Sequence, residues 1–474
     1  MNKKEAVIKT GFWALWAIVV AIPAFFIVYK AQWLIGDDAI IILHTGVGKP
    51  FLPSDTINPQ GGRFFPFAYL IYDVLLLFSK GYISAGAHYV IHLVIFVVFV
   101  FCMTKMSLLI MKDIKKEYGY GIALLFALIC IGRTIPLFVN CFSTAWLSYT
   151  LIGGIMLFSF LFFEKQKWIY GVVALLLVNW ICYCGESGFV FPLSMGMSTL
   201  IFQRKMITAR CKAYCWMLIG SALLFLLLYA VLVLPYIDNI YDSSHGTTDN
   251  MLMNAIRMTF AQKIILVAFV VLVVRLVDMI RNNSKCNFFD SLLFTAAACC
   301  CGNFILRLNW TLYYNGVALI ALPSILYFSI NYLKEKWTMV LFVFLMVFYG
   351  RKIPGTIWEN QQLRKETFEA VSNLYREMDK AEAVYWYMPV ANGGNPQSLI
   401  VRDWKYNSLS TYLVWMKHEP DYKLPIAKEF HGGKNTIWLT TSENQTLFPD
   451  DNLLQENGEL FFNSTGIEGY WIKE

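Results

Sequence analysis

The sequence predicts an all-α polytopic membrane protein of about eleven transmembrane helices, with a small extracytoplasmic α/β domain at its C-terminal end. Three observations lead there. Of the 474 residues, 57% are apolar or aromatic and only 15% are charged, against about a quarter charged in an ordinary soluble domain. The apolar residues gather into runs of roughly 20, the length a helix needs to cross a bilayer. After Gly350 the composition turns abruptly to charged and amide residues. Such a chain is neither a soluble enzyme nor a disordered protein, because its apolar surface calls for lipid as solvent.

The runs start near Gly11, Ala87, Tyr120, Thr144, Trp168, Gly188, Ala213, Ala261, Phe289 and Tyr313, and a shorter one lies at Trp337 to Tyr349. The first follows Lys3, Lys4 and Lys9 and lacks a small-residue cleavage site, so it reads as an uncleaved anchor. Basic residues recur in every second loop, at Lys112, Lys115 and Lys116, at Lys165 and Lys167, at Arg204, Lys205, Arg210 and Lys212, at Arg281 and Lys285, and at Lys334 and Lys336. An excess of cations marks the cytoplasmic side. The N-terminus is therefore expected inside the cell membrane and, after eleven spans, the C-terminal domain outside it. The net charge of +7 reports orientation in the lipid bilayer and not a nucleic-acid partner.

Pro66 to Phe78 is apolar but short and interrupted by Asp73; counted as a span it would invert every later loop, so it fits a helix lying in the interface or re-entering. None of the eleven cysteines lies after residue 301, and all sit in or beside apolar runs, where they read as small apolar residues and not as zinc ligands. The chain thus divides into a transmembrane domain, residues 1–350, whose first outer loop is 30–86, and a C-terminal domain, residues 351–474. In the latter, Trp358 to Met378 reads as a helix, Ala383 to Met388 and Thr436 to Thr441 as strands, and Asn392-Gly-Gly-Asn-Pro and Gly432-Gly433 as turns.

Chemistry is expected at the outer loops. Asp37 and Asp38 directly follow the first span; a carboxylate beside low-dielectric material has its pKa raised and can accept a proton from a hydroxyl. The same pair would serve as a helix N-cap, and the two roles are compatible. Gly61-Gly62-Arg63-Phe64-Phe65 offers a turn, a cation and aromatics suited to an anionic headgroup. Glu186 ends an otherwise uncharged span, where a carboxylate costs free energy unless wet or paired. Arg133 and Arg307 share that outer level and match phosphate oxygens with their planar forks, the alternative being snorkelling to lipid headgroups. His88 and His92, at i and i+4, are weak candidates for holding a divalent metal together with Asp37 or Asp38; no cofactor is certain.

An N-terminal anchor, a large first outer loop with an early acidic pair, many spans and a small outer C-terminal domain together resemble the GT-C class of polytopic membrane glycosyltransferases. Gly36-Asp37-Asp38, Gly62-Arg63-Phe64 and the Gly185-Glu186 corner carry the likeness, which is similar to bacterial Gtr-type, serotype-converting glucosyltransferases. The resemblance implies a polyprenyl-phosphate-linked sugar donor, a glycan or lipid-linked hydroxyl acceptor, and inverting transfer with Asp37 or Asp38 as general base. Arg133, Arg307 and Arg63 would then hold the phosphate, and Glu186 would orient hydroxyls. The competing readings are an O-antigen polymerase or ligase, which would need more outer cations, and a transporter or flippase of lipid-linked sugar, for which paired repeats and mid-membrane ionisable residues are expected.

Overall fold

The computed structural model describes residues 3–36, 56–59, 62–76, 84–139, 143–185, 188–236, 262–305, 316–388, 396–441 and 453–473. In chain order these form α1 (Lys3–Val28), β1 (Ile57–Asn58), β2 (Arg63–Phe64), α2 (Leu70–Leu76), α3 (Ala85–Ile110), α4 (Lys116–Val139), α5 (Ser143–Lys165), α6 (Trp168–Cys182) and α7 (Val190–Gln203). They continue with α8 (Ala209–Leu232), α9 (Lys263–Asn282), α10 (Phe288–Ile305), α11 (Val317–Gly350), α12 (Ile353–Met378), β3 (Ala383–Tyr387), α13 (Pro396–Lys417), β4 (Ile426–Ala427), β5 (Thr436–Thr441), α14 (Leu453–Asn457), β6 (Glu459–Ser464) and β7 (Ile467–Ile472).

Six of the described helices are long and apolar enough to cross a membrane, and α6, α7 and α10 are shorter apolar helices. Leu176, Ile201 and Leu227 face outward on apolar helices, which suits a lipid surface and not water. Polar groups between helices are paired: Trp16 Nε1 donates to Thr104 Oγ1 at 3.0 Å, and the Ser159 and Tyr214 hydroxyls lie 2.6 Å apart. Such bonds hold helices together where burial of apolar surface gives no drive. Within the apolar stretch 66–78, the described residues form a turn and then α2 over Leu70–Leu76; residues 77 and 78 lie outside the described residues.

Contacts fix helix directions. Phe12 meets Tyr120, and Glu5 pairs with Lys116, so α1 and α4 run parallel. Trp16 meets Thr104 on the opposed α3. Thr150 donates to the Ile95 carbonyl and Lys112 pairs with Glu164, so α3 and α5 are parallel. Helix α11 breaks at Lys334, whose φ of 62° and ψ of 175° are not helical. Its first arm follows α5, with Gly316 against Tyr149 and Ile152. Its second arm follows α4: Gly121 faces Met339, Phe126 stacks on Phe342, and Gly132 meets Tyr349. Lys334 is thus the turn between two apolar segments that the sequence separates by its lysines.

Arg275 and Asp278, spaced i, i+3, form an ion pair that is part of a larger network. Arg275 Nε donates to Asp290 Oδ1 at 2.7 Å and Nη2 to Asp290 Oδ2 at 3.2 Å and to the Lys285 carbonyl at 2.9 Å, while the guanidinium lies 5.1 Å from the Phe328 ring centroid. Asp278 accepts from Tyr332, Asn282 and Ser284. The ten described cysteines are free thiols; Cys141 lies outside the described residues.

By contacts the chain divides into two compact units, the first comprising Met1–Ile27, Leu52–Leu70 and Ile91–Ile357, the second Val28–Phe51, Ile71–Val90 and Trp358–Glu474, each in its described parts. In the second, five strands form one sheet in the order β4-β3-β5-β7-β6, with β4, β3 and β5 parallel and β7 and β6 antiparallel. Every residue of β5 is buried, and Tyr387, Trp438, Tyr470 and Ile472 cluster with Leu454 of α14. Gly432 and Gly433 have φ of 62° and 129°, which is why the turn before β5 uses glycine. Strands β6 and β7 and helix α13 were not read from the sequence.

Candidate functional site

Asp37 and Asp38 lie outside the described residues, but the chain leading into them is held firmly within the second unit. Trp33 is fully buried and packs on His88 and Trp415, with ring centroids 5.1 Å and 6.4 Å away. Its carbonyl accepts from Tyr412 Oη at 3.4 Å, the Gln32 carbonyl from Arg364 Nη1 at 2.7 Å, and the Gly36 carbonyl from Ser408 Oγ at 3.4 Å. Arg364 is itself buried, bonded through Nε to Asn360 Oδ1 at 2.7 Å and set over the Tyr89 ring at 4.6 Å. Gly36 has φ of 136°, a conformation that a side chain would strain. Helices α12 and α13 therefore hold the backbone of residues 32–36, contacts that spacing in the sequence could not reveal, since the partners are more than 300 residues away.

A second part lies in the first unit. The β1–β2 hairpin pairs Asn58 with Arg63, and the Gly62 carbonyl accepts from Tyr229 Oη at 2.8 Å. Phe64 packs on Tyr183 and Phe225, the Phe67 nitrogen donates to the Tyr183 carbonyl at 3.0 Å, and the Phe67 carbonyl accepts from Trp180 Nε1 at 3.2 Å. The Gly62-Arg63-Phe64 motif and the 180–185 corner, read separately in the sequence, are thus neighbours. A Cβ on Gly188 would stand 2.0 Å from the Ile181 carbonyl oxygen, so the corner closes only with glycine there. Glu186 itself, like Arg307, lies outside the described residues, and of Arg63 the backbone alone is described.

Arg133 is the expected phosphate ligand that the structure describes in full. It is buried on α4, and its Nε and Nη2 have no hydrogen-bond partner. The preceding Gly132 lies so close to the end of α11 that a Cβ would stand 2.6 Å from the Tyr349 carbonyl oxygen. The Tyr349 hydroxyl is within electrostatic reach of Arg133 and accepts from the Ile264 nitrogen at 3.2 Å. Two residues before Ile264, Gln262 is buried with both amide atoms unpartnered. An unpaired buried cation is costly, and unpartnered buried amides are rare. Arg133 and Gln262 thus present unpartnered polar atoms in the region where α4, the start of α9 and the end of α11 come together. Gln262 and Tyr349 escaped the sequence reading because neither is charged.

His88 and His92 are both buried on α3. The His88 ring stacks on Tyr72, centroids 4.9 Å apart and planes 20° apart, and lies beside Trp33, so it acts as an aromatic packing element. Among the described residues no group of three His, Cys, Asp or Glu side chains is gathered to hold a metal ion.

No protein-family model matches the sequence, and no curated protein matches it. Among solved structures the chain is similar to ArnT from Cupriavidus metallidurans bound to undecaprenyl phosphate, with a TM-score of 0.53 and 11% identity over 98% of each chain. The apo state of the same protein gives a TM-score of 0.53 and 13% identity over 98% of each chain. At this identity the likeness is one of fold: the chain is a mostly helical, multi-pass membrane protein with an ArnT-like fold and a small C-terminal sheet.

Proposed function

We propose that this protein is a GT-C membrane glycosyltransferase that moves a monosaccharide from a polyprenyl-phosphate donor to a hydroxyl acceptor on the outer face of the cell membrane. ArnT, a structural neighbour, is a GT-C glycosyltransferase, and one of its structures holds undecaprenyl phosphate. The observation that carries the reading to this chain is Arg133, a buried guanidinium with two unpartnered nitrogen atoms within electrostatic reach of Tyr349.

The chemistry asks for few groups. Phosphate leaves as a stable anion, so no strong acid is required, and cations that meet its growing charge lower the barrier. Arg133 fills that role, with Arg307 and Arg63 as further ligands. Asp37 or Asp38 takes the proton from the acceptor hydroxyl, whose oxygen attacks the anomeric carbon in line, inverting it as the bond to the phosphate oxygen breaks. Glu186 orients acceptor or sugar hydroxyls. Transfer of a hexose of the Gtr type, eleven spans, a cytoplasmic N-terminus and an outer C-terminal domain complete the proposal.

Asp37→Asn and Asp38→Asn, made separately, are expected to abolish sugar transfer for at least one of the two in membranes supplied with lipid-linked donor, at unchanged protein level. Full activity in both variants would overturn the mechanism. Substrate crossing sealed vesicles with no new glycosidic bond would overturn the transferase reading itself.

A further inference from the structure

At the end of the membrane helices where α1 begins, the first unit has an open cavity of about 150 Å³ among α1, α3 and α4. Four lysines line it, Lys9, Lys105, Lys112 and Lys116. Two are neutralised: Lys112 Nζ lies 3.1 Å from Glu164 Oε2, and Lys116 pairs with Glu5. The hydrogen bond and charge of Glu164 hold the Lys112 ammonium above its ordinary value. Lys9 and Lys105 have no carboxylate partner among the described residues. Lys105 Nζ instead sits over the Trp13 and Phe101 rings, 4.8 Å and 5.4 Å from their centroids. It does so on α3, a helix otherwise apolar enough to span a membrane, where an ammonium is costly unless a counter-charge meets it. The remaining wall is apolar or aromatic, with Leu108, Met111, Ile114 and Tyr120.

Two unmatched ammonium groups above an apolar floor suit an anion with an apolar body. A free phosphate would satisfy the cations but leave the floor wet. Basic pockets between membrane helices take lipid headgroups by this combination of charge and apolar contact. We propose that this cavity binds the phosphodiester headgroup of an anionic glycerophospholipid, with Lys9 and Lys105 meeting the phosphate. The site is separate from the Arg133 cluster and does not depend on the transferase reading.

The test uses the purified full chain in a zwitterionic detergent, with bound lipid counted by native mass spectrometry and thermal stability followed in parallel. Phosphatidylglycerol is expected to stay bound and to raise the melting temperature, and phosphatidylcholine is not. Lys9→Gln and Lys105→Gln should each weaken phosphatidylglycerol binding about fivefold, whereas Lys9→Arg and Lys105→Arg retain it. Lys9→Gln lies on an exposed position, so it keeps the test open if Lys105→Gln does not fold. Equal binding of the two lipids, or no loss in Lys9→Gln, would overturn the proposal. If inorganic phosphate alone gave the same stabilisation as phosphatidylglycerol, the cavity would be a free-anion site and the lipid assignment would fall.

Discussion

Arg133 is buried with two unpartnered guanidinium nitrogens, an arrangement poor for folding that suits the phosphate ligand proposed for it. A buried guanidinium without a carboxylate lowers stability, and the proposed phosphate would complete Arg133 near Tyr349. Arg133→Gln is expected to reduce kcat/KM for the lipid-linked donor by roughly tenfold to a hundredfold, the size of one charge-assisted hydrogen bond. The melting temperature of the same variant should hold or rise. A fall in activity that merely tracks lost protein would refute the assignment, and so would unchanged kinetics. Arg133→Lys should recover little, because an ammonium cannot reproduce the planar fork. Arg133 was legible in the sequence because a cation stands out near the end of an apolar run. Gln262 and Tyr349 were not, since an amide and a phenol at a span end carry no signal until α4, α9 and α11 are seen to meet.

At the scale of elements, the ends of helices do most of the positioning. Asp290 at the start of α10 accepts both Arg275 donors and the Asn287 nitrogen, tying α9 to α10. Asp290→Ala would leave the buried Arg275 short of its main partner and should cost about 3–5 kcal/mol, read as a lower melting temperature and yield with activity per folded molecule kept. Loss of transfer without loss of stability would place this network in the chemistry instead. Helix α12 contributes Arg364, whose bond to the Gln32 carbonyl steadies the irregular segment of residues 31–36. Arg364→Lys is expected to lower kcat at least tenfold with little change in KM for the donor; a pure KM effect would mean that Arg364 binds substrate and does not position the base. The apolar helices were readable from run length alone, and β3 and β5 from their flanking turns. Helix α13 was not, because its buried face, with Leu409, Tyr412 and Leu413, is scattered among Asp, Lys, Asn and Ser and makes no clean period. Nor could any local pattern show that α13 bonds to residues 33 and 36.

For the whole molecule the open quantity is orientation, and the helix directions make it a question with two answers. Helices α1 and α4 run one way and α3 and α5 the other, so Glu5, Lys112, Lys116 and Glu164 gather at one end. The loop lysines collect there too, and lysine excess belongs on the cytoplasmic side. The break at Lys334 turns α11 back from that end, and its second arm follows α4 to the other. The C-terminal domain, with no cysteine after residue 301, is suited to single-cysteine labelling. In a background with the exposed Cys301 replaced by Ser, Lys428→Cys and Lys115→Cys place one thiol each on exposed positions. In intact cells a membrane-impermeant maleimide should modify Lys428→Cys and spare Lys115→Cys until the membrane is opened. The opposite pattern would put the basic end outside and the acidic pair in the cytoplasm, where the proposed outer-face transfer could not occur. Labelling of both in intact cells would show that the two ends share one side and that the number of spans between them is even.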